Sequence, residues 1–256
     1  MVDESGTAER PAAERPAFYA LAPGGWRDLV TLLHPPYTLW HLSYVALGAA
    51  VAPVVHADRL GAALGAFFLA VGVGAHCLDE LHGRPLGTRL PDEALVGLAT
   101  AGLGGALLIG VAGCFIVSPT VIPFVVAGGF LVPAYNLELF GGRFHTDLWF
   151  GAAWGAFPAL VGWWVNALGI HDVGDGLAAA GIVLACFWLT LAQRRLSTPV
   201  RELRRRTESL SGEQRLTDGT ARPLDAAAVA APLDGALRAL SVAMPLLAAG
   251  LLALRL

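Results

Sequence analysis

The chain has 256 residues, a formal net charge of −3 and a mean hydropathy of +0.61, and 55% of its residues are hydrophobic. Only 14% are charged, whereas a soluble domain carries about 25% charged residues, so a water-exposed globular surface of this size is excluded. This composition predicts a polytopic membrane protein with membrane lipids as partners and no nucleic-acid partner. Its three cysteines are far apart in the sequence and indicate no disulfide scaffold.

Residues 1–24 are rich in Ala, Pro, Glu and Arg and lack an apolar core. We therefore expect a disordered N-terminal tail rather than a cleavable signal peptide. Residues 25–34 follow with apolar positions at helical spacing, which predicts a short helix lying in the membrane interface. The transmembrane helical domain is expected over residues 25–256.

A membrane-spanning helix needs about 20 predominantly apolar residues. We find about seven such stretches, so the predicted fold class is all-α, a polytopic transmembrane helical bundle. A polar cytoplasmic loop, beginning with a surface helix, is expected over residues 195–235, between spans six and seven. The predicted spans cover residues 37–55, 60–78, 94–116, 121–140, 148–168, 177–192 and 236–254.

The placement of arginine predicts the orientation of the bundle. If the N-terminus is cytoplasmic, most arginines fall in inner segments, and the outer segments hold only Arg59 and Arg255. Because positively charged residues accumulate on the cytoplasmic side of membrane proteins, we expect the N-terminus inside and the C-terminus outside. The cell membrane is the expected location.

The first polar cluster lies at the inner end of span two. His76, Asp79 and Glu80 stand at i, i+3 and i+4, which places them on one face of a helix. Such a group is a candidate catalytic site, able to bind a divalent cation or to share a proton. The following Arg84 precedes Pro85 in a turn and is a candidate for binding a phosphate group.

A second polar cluster joins spans four and five. Tyr135 and Asn136 are candidate substrate-binding residues at the end of span four. Glu138, His145 and Asp147 follow and are candidate metal ligands, although Asp147 also suits a helix cap.

Two further features point to binding at the same side of the membrane. His41 lies two helical turns after His34 and is a candidate pocket residue. Arg194 and Arg195 open a basic stretch that suits lipid headgroups or a diphosphate, or that serves only to set the topology.

These stretches together resemble the UbiA superfamily of intramembrane prenyltransferases over about residues 30–200. In that family an Asp-rich motif of the form NDxxDxxxD follows helix two and precedes an RPL-type turn. The corresponding stretch here runs from Ala75 through Asp79 and Gly83 to Arg84-Pro85-Leu86, and only Asp79 matches an acidic position. The later YNLEL and DLWFGAAWGAFP segments resemble the end of helix four and the Gly-rich helix five, and HPPYTLW resembles the start of helix one.

The resemblance implies a transferase or lyase that acts on an isoprenoid or lipid diphosphate at a pocket facing the cytoplasm. It also implies Mg²⁺ held by carboxylates such as Asp79 and Glu80. The family normally has nine helices, and its second acidic motif is missing after span six. Two alternatives stay open: a metal-dependent membrane enzyme using Zn²⁺, Mn²⁺ or Fe at a mixed site, and a non-catalytic lipid-binding or transport protein. The mixed site would comprise His76, Asp79, Glu80, Glu138, His145 and Asp147.

Overall fold

The structure is a computed structural model that describes residues 15–256 and is mostly helical. One short two-stranded hairpin connects its last two helices. A helical turn, Leu139–Gly142, lies between α5 and α6. The helices are α1 (Trp26–Leu32), α2 (Pro35–Ala50), α3 (Ala57–Leu81), α4 (Asp92–Ile116), α5 (Pro119–Asn136), α6 (Asp147–Ala167), α7 (Val173–Arg205) and α8 (Ala226–Ala253), and the strands are β1 (Glu213–Arg215) and β2 (Ala221–Pro223).

Six of the helices, α3 to α8, are long and apolar enough to cross a membrane. The protein is therefore an all-α integral membrane protein. The first predicted span differs, because α2 ends at Ala50 and has only 16 residues. Pro53 disfavours helical geometry at the residue before it, and residues 51–54 form a turn. The predicted total of seven spans therefore stays a prediction, because it requires that α2 also crosses the membrane.

Helix α2 occupies the middle of the bundle. Trp40, Tyr44 and Val45 are fully buried, and α2 packs mainly against α6 and α8. The side chain of Arg255 donates hydrogen bonds to the carbonyl oxygens of Ala52 (2.7 Å) and Pro53 (2.8 Å). The C-terminus therefore lies just beyond the end of α2, opposite the end at which α2 begins.

The contact between α2 and α6 depends on two glycines. A Cβ atom on Gly48 would lie 1.9 Å from the carbonyl oxygen of Ala159, and one on Gly162 would lie 2.0 Å from that of Val45. No side chain fits at such distances, so the two backbones touch directly. Small residues permit this close approach between membrane helices.

The prediction of a disordered N-terminal tail is wrong for residues 15–24, which pack against the helices. Ala20 is only 1% exposed, and the Leu21 amide donates to the hydroxyl of Thr31 at 2.9 Å. Phe18 and Tyr19 contact the ring of Tyr37 edge-on. Residues 15–24 therefore pack on the bundle, because their aromatic side chains find apolar partners there. Residues 1–14 of the predicted tail lie outside the described part.

The predicted loop over residues 195–235 is also shorter than expected. Helix α7 continues to Arg205, and α8 begins at Ala226, where the Asp225 carboxylate accepts a hydrogen bond from the Ala228 amide at 2.7 Å. The polar stretch after residue 195 is thus a continuation of α7 rather than a separate surface helix. The intervening residues carry the hairpin of β1 and β2.

The end of α7 is fixed to α8 by a buried ion pair between Arg204 and Asp234. Their closest atoms, Nη2 and Oδ2, are 2.5 Å apart, and both side chains are about nine-tenths buried. We expect Asp234→Ala to lower the free energy of unfolding by about 3–5 kcal/mol, because the guanidinium would stay buried without its partner. Thermal unfolding of the purified protein measures this, with the exposed Asp218→Ala as control. Equal melting temperatures for the two variants would contradict it.

Candidate functional site

One cavity of about 180 Å³ gathers most of the polar side chains at the end of the bundle where α2 begins. It receives residues from the N-terminal segment, α2, the end of α3, the end of α5 and the loop after it, the start of α6, α7 and α8. The polar lining residues are Tyr19, His34, Tyr37, His41, His76, Asp79, Tyr135, Asn136, His145, Gln193, Arg194, Ser197, Arg201, Arg204, Arg205 and Asp234.

Two of the four arginines that line the cavity are neutralised within the protein. Arg194 pairs with Asp147 at 2.5 Å and donates to the hydroxyl of Tyr135 at 2.6 Å. Arg204 pairs with Asp234. These two side chains therefore shape the cavity wall and leave little charge for a ligand.

The other two arginines of the cavity are Arg201 and Arg205. Arg201 donates to the hydroxyl of Thr198 at 3.0 Å, and within residues 15–256 neither it nor Arg205 forms an ion pair. They stand one helical turn apart, where two like charges repel. Of the described cavity residues only Asp79 and Asp234 are acidic, and Asp234 is already paired. Asp79 interacts with both arginines at longer range, so the three side chains together leave positive charge in the cavity that favours an anion.

Histidine rings also line the cavity. The rings of His34 and His76 are stacked with their centroids 4.0 Å apart. The Nδ1 atom of His76 lies 3.1 Å from the carbonyl oxygen of Gly72, and that of His41 lies 2.7 Å from the carbonyl oxygen of Trp154. A carbonyl oxygen only accepts hydrogen bonds, so Nδ1 carries the proton in each ring and Nε2 is left as an acceptor.

Both accepting carbonyls belong to π-helical segments, Phe68–Ala75 in α3 and Ala152–Ala156 in α6. Such wide turns inside helices occur often at functional sites. Here each one presents a backbone carbonyl to a histidine and thereby fixes its ring.

Two ring side chains that line the cavity, Tyr19 and His34, are held neutral. Burial raises the pKa of the Tyr19 phenol well above its ordinary value. Burial, together with the neighbouring His76, lowers the pKa of His34 well below its ordinary value. Near pH 7 the positive charge of the cavity therefore comes from arginine and not from His34.

Glu80 is not directed to the cavity, contrary to its predicted catalytic and metal-binding role. Its fully buried carboxylate accepts hydrogen bonds from the amides of Leu86 (2.9 Å) and Thr88 (2.8 Å) and from the Thr88 hydroxyl (2.9 Å). The chain after α3 folds back over this carboxylate, so Glu80 holds the turn that separates α3 from α4.

We expect Glu80→Leu to lower the free energy of unfolding by about 3–5 kcal/mol, because it leaves two buried amides without an acceptor. Glu80→Gln keeps one side-chain oxygen and should cost less. Thermal unfolding measures both, with exposed Glu93→Gln as control. A Glu80→Leu protein that melts like wild type but loses activity would instead support the catalytic role.

The structure brings together some of the other predicted site residues. Asn136 lines the cavity and donates to the carbonyl oxygen of Val132 at 2.8 Å. Arg84 pairs with Asp92 beside its own turn and is not a lining residue. Arg195 is exposed on another face of α7.

The six predicted metal ligands do not converge. Only His76, Asp79 and His145 line the cavity, and Glu138 lies 3.7 Å from His145 outside it. Within residues 15–256 no three His, Cys, Asp or Glu side chains form a group suited to a metal ion. The acidic set that the family resemblance implies for Mg²⁺ does not fit either, because Ala75, His76 and Gly83 occupy its other positions.

An apolar groove of about 230 Å³ adjoins the polar cavity. It lies between α3, α4, α5 and α6, and small residues such as Ala66, Gly110 and Gly128 line it. Val71 lines both the groove and the cavity, so the two meet there. From Val71 the groove follows α3 to Arg59, a distance of about 18 Å at 1.5 Å per residue.

Sequence reasoning missed two contributions to the cavity. Phe18 and Tyr19 lie in the segment predicted to be disordered, and Gln193 borders the expected end of span six. The spacing of Gln193, Ser197, Arg201 and Arg205, four residues apart, is a signal for one face of a helix. This spacing indicates a shared helix face only if the helix continues past residue 192, where the predicted span six ends.

Comparison with known proteins adds no relationship: no protein-family model matches the chain, and no curated protein or solved structure matches it significantly. Function is therefore inferred from the geometry of the cavity and the groove.

Proposed function

We propose that this membrane protein is a UbiA-like enzyme, a transferase or lyase, that acts on an isoprenoid or similar lipid diphosphate. The observation that carries the proposal is the junction of two unlike spaces. A cavity with two arginines that form no ion pair adjoins an apolar groove at Val71, which lines both. An amphiphile with an anionic head and a long apolar tail matches both.

The head of such a ligand would lie against Arg201 and Arg205. A guanidinium group binds phosphate oxygens through two parallel hydrogen bonds, which gives both strength and orientation. Two arginines one turn apart on α7 suit the two phosphates of a diphosphate. Binding of the diphosphate would also offset the repulsion between the guanidinium groups of Arg201 and Arg205.

The tail would pass Val71 and lie in the groove between α3, α4, α5 and α6. The groove presents almost entirely apolar side chains and backbone from glycines such as Gly110 and Gly128. Because the surrounding lipid is as apolar as the groove, close packing against these side chains, and not removal from water, would favour the bound tail. The groove therefore selects for chain length and the cavity for charge.

In the proposed reaction the bond between the lipid carbon and the diphosphate oxygen breaks. The electron pair leaves with the diphosphate, and the lipid group passes to an acceptor or loses a proton. Charge that develops on the leaving group is stabilised where fixed cations already point at it. Arg201 and Arg205 would take this role, and we assign no step to a metal ion.

The proposed orientation places the cavity on the cytoplasmic side of the cell membrane. Support comes from the arginines of α7, which belong on the inner face by the positive-inside rule. The N-terminal segment packs at the same end, whereas Arg255 lies beyond the opposite end of α2. A seven-span bundle with a cytoplasmic N-terminus and an outer C-terminus follows if α2 also crosses.

The proposal is tested by incubating the protein in nanodiscs with radiolabelled farnesyl diphosphate, with Mg²⁺ in one series and EDTA in another. We expect diphosphate release above that of empty nanodiscs. Binding without release would favour the non-catalytic lipid-binding alternative. The absence of both binding and release would overturn the proposal. Activity that appears only when Zn²⁺, Mn²⁺ or Fe is added would favour the metal-dependent alternative.

A further inference from the structure

The N-terminal segment, residues 15–24, contributes a tyrosine to the polar cavity. Tyr19 lines the cavity, and the segment is held to the bundle on both sides of it. Before it, the ring of Phe18 lies 5.2 Å from the guanidinium carbon of Arg238 in α8. After it, the Leu21 amide donates a hydrogen bond to a side chain of α1 at 2.9 Å. These two contacts fix the position of Tyr19, although the segment belongs to no helix.

Tyr19 lies against a second tyrosine of the cavity, Tyr37 of α2. Their ring centroids are 5.5 Å apart, and both side chains are partly exposed. Within residues 15–256 neither hydroxyl forms a hydrogen bond, and both hydroxyl oxygens keep accessible surface, unlike the sealed Oε1 of Gln193. Each phenol therefore has a donor hydrogen that a ligand can reach.

The two phenols lie near the arginines of the proposed anion site. Among the titratable side chains, Tyr19 interacts most strongly with the Arg205 guanidinium, and Asp79 interacts with both. Tyr37 interacts electrostatically with Arg201 and Arg205 as well. These interactions place two hydroxyl groups and two guanidinium groups in one part of the cavity.

We infer that the hydroxyls of Tyr19 and Tyr37 donate hydrogen bonds to a diphosphate group held at Arg201 and Arg205, which makes the N-terminal segment part of the binding site. The inference rests on the proposed lipid diphosphate site. A neutral phenol adds a donor without adding to the repulsion between the arginines. A hydrogen bond to an ionised acceptor is also about twice as strong as one between neutral groups. Two sources share this chemistry: the diphosphate attached to the lipid, and the inorganic diphosphate that its cleavage releases.

The test measures the affinity of the full-length protein in nanodiscs for two probes, farnesyl thiolodiphosphate and inorganic pyrophosphate, by isothermal titration. Tyr19→Phe and Tyr37→Phe keep the aromatic ring and remove only the hydroxyl. Tyr44→Phe is the matched control, because Tyr44 is fully buried and does not line the cavity. Its hydroxyl already accepts a hydrogen bond from Trp40 at 2.5 Å.

We expect Tyr19→Phe and Tyr37→Phe each to weaken binding of at least one probe about tenfold, and the probe that is affected identifies the source of the diphosphate. Tyr44→Phe should change either affinity less than about threefold. Unchanged affinities of both cavity variants for both probes would overturn the inference and leave the proposed function standing. Failure of wild type to bind farnesyl thiolodiphosphate would overturn both.

Hydrogen exchange of residues 15–24 separates direct contact from loosening of the segment. In the free protein, Tyr19→Phe should exchange like wild type, because its ring contacts are kept. Bound farnesyl thiolodiphosphate or pyrophosphate should slow exchange in wild type at least about threefold, and less in Tyr19→Phe. Exchange in wild type that neither probe changes would contradict a role of the N-terminal segment in binding.

Discussion

Gly162→Ala is expected to disrupt the bundle, with a loss of about 3 kcal/mol or failure to fold. The added methyl carbon would lie 2.0 Å from the carbonyl oxygen of Val45, and no side-chain rotation can relieve a contact between a Cβ atom and a backbone. Overpacking of a well-filled core costs about 1–3 kcal/mol, and occasionally more. Helices α2 and α6 would have to separate along their whole contact. Thermal unfolding and size-exclusion profiles in detergent measure the effect.

Gly181→Ala is the matched control, because a Cβ atom on Gly181 in α7 meets nothing within 4 Å. Alanine is favoured over glycine in a helix interior by about 1 kcal/mol, so this variant should be neutral or slightly stabilising. Since α2 carries Tyr37 and His41, a shift of α2 would also deform the cavity. A Gly162→Ala protein that melts like wild type would contradict the close packing of α2 against α6.

The double substitution of Arg201→Gln and Arg205→Gln is expected to weaken diphosphate binding by at least about 100-fold. Hydrogen bonds to charged groups contribute about 1.5–3 kcal/mol each, and every 1.4 kcal/mol is a factor of ten in affinity. Removal of the like-charge repulsion between the two arginines should leave the melting temperature unchanged or higher. Isothermal titration with farnesyl thiolodiphosphate measures the affinity.

Its control is the double substitution of Arg195→Gln and Arg206→Gln, which removes the same charge from exposed positions outside the cavity. A general effect of net charge would weaken binding equally in both proteins. The site-specific account predicts less than a threefold change in the control. Equal losses would show that the phosphates do not sit at Arg201 and Arg205.

Much of the fold follows from the sequence, because a run of about 20 apolar residues has few alternatives to a membrane helix. The stretches behind α3 to α8 were predicted in this way. The C-terminal ends of α2 and α7 were not predicted. A turn at Pro53 shortens α2, and polar residues continue α7 to Arg205. Hydropathy alone does not distinguish a polar helix from a polar loop.

The candidate site was less accessible to sequence reasoning. Helical spacing predicted His76 and Asp79 on one face of a helix, and both line the cavity. It also grouped them with Glu80, whose carboxylate instead binds the turn after α3. The contact of His41 with Trp154 joins residues 113 positions apart, and only the packing of α2 on α6 creates it. Such pairings depend on tertiary structure and leave no local pattern.

The most direct test of the central claim is an experimental structure of the protein with farnesyl thiolodiphosphate bound. The proposal predicts diphosphate oxygens within about 3 Å of the guanidinium nitrogens of Arg201 and Arg205. It also predicts a farnesyl chain that passes Val71 into the groove toward Arg59. A ligand whose phosphates contact Arg84, Arg195 or Arg206 instead, or whose chain lies outside the groove, would contradict the account.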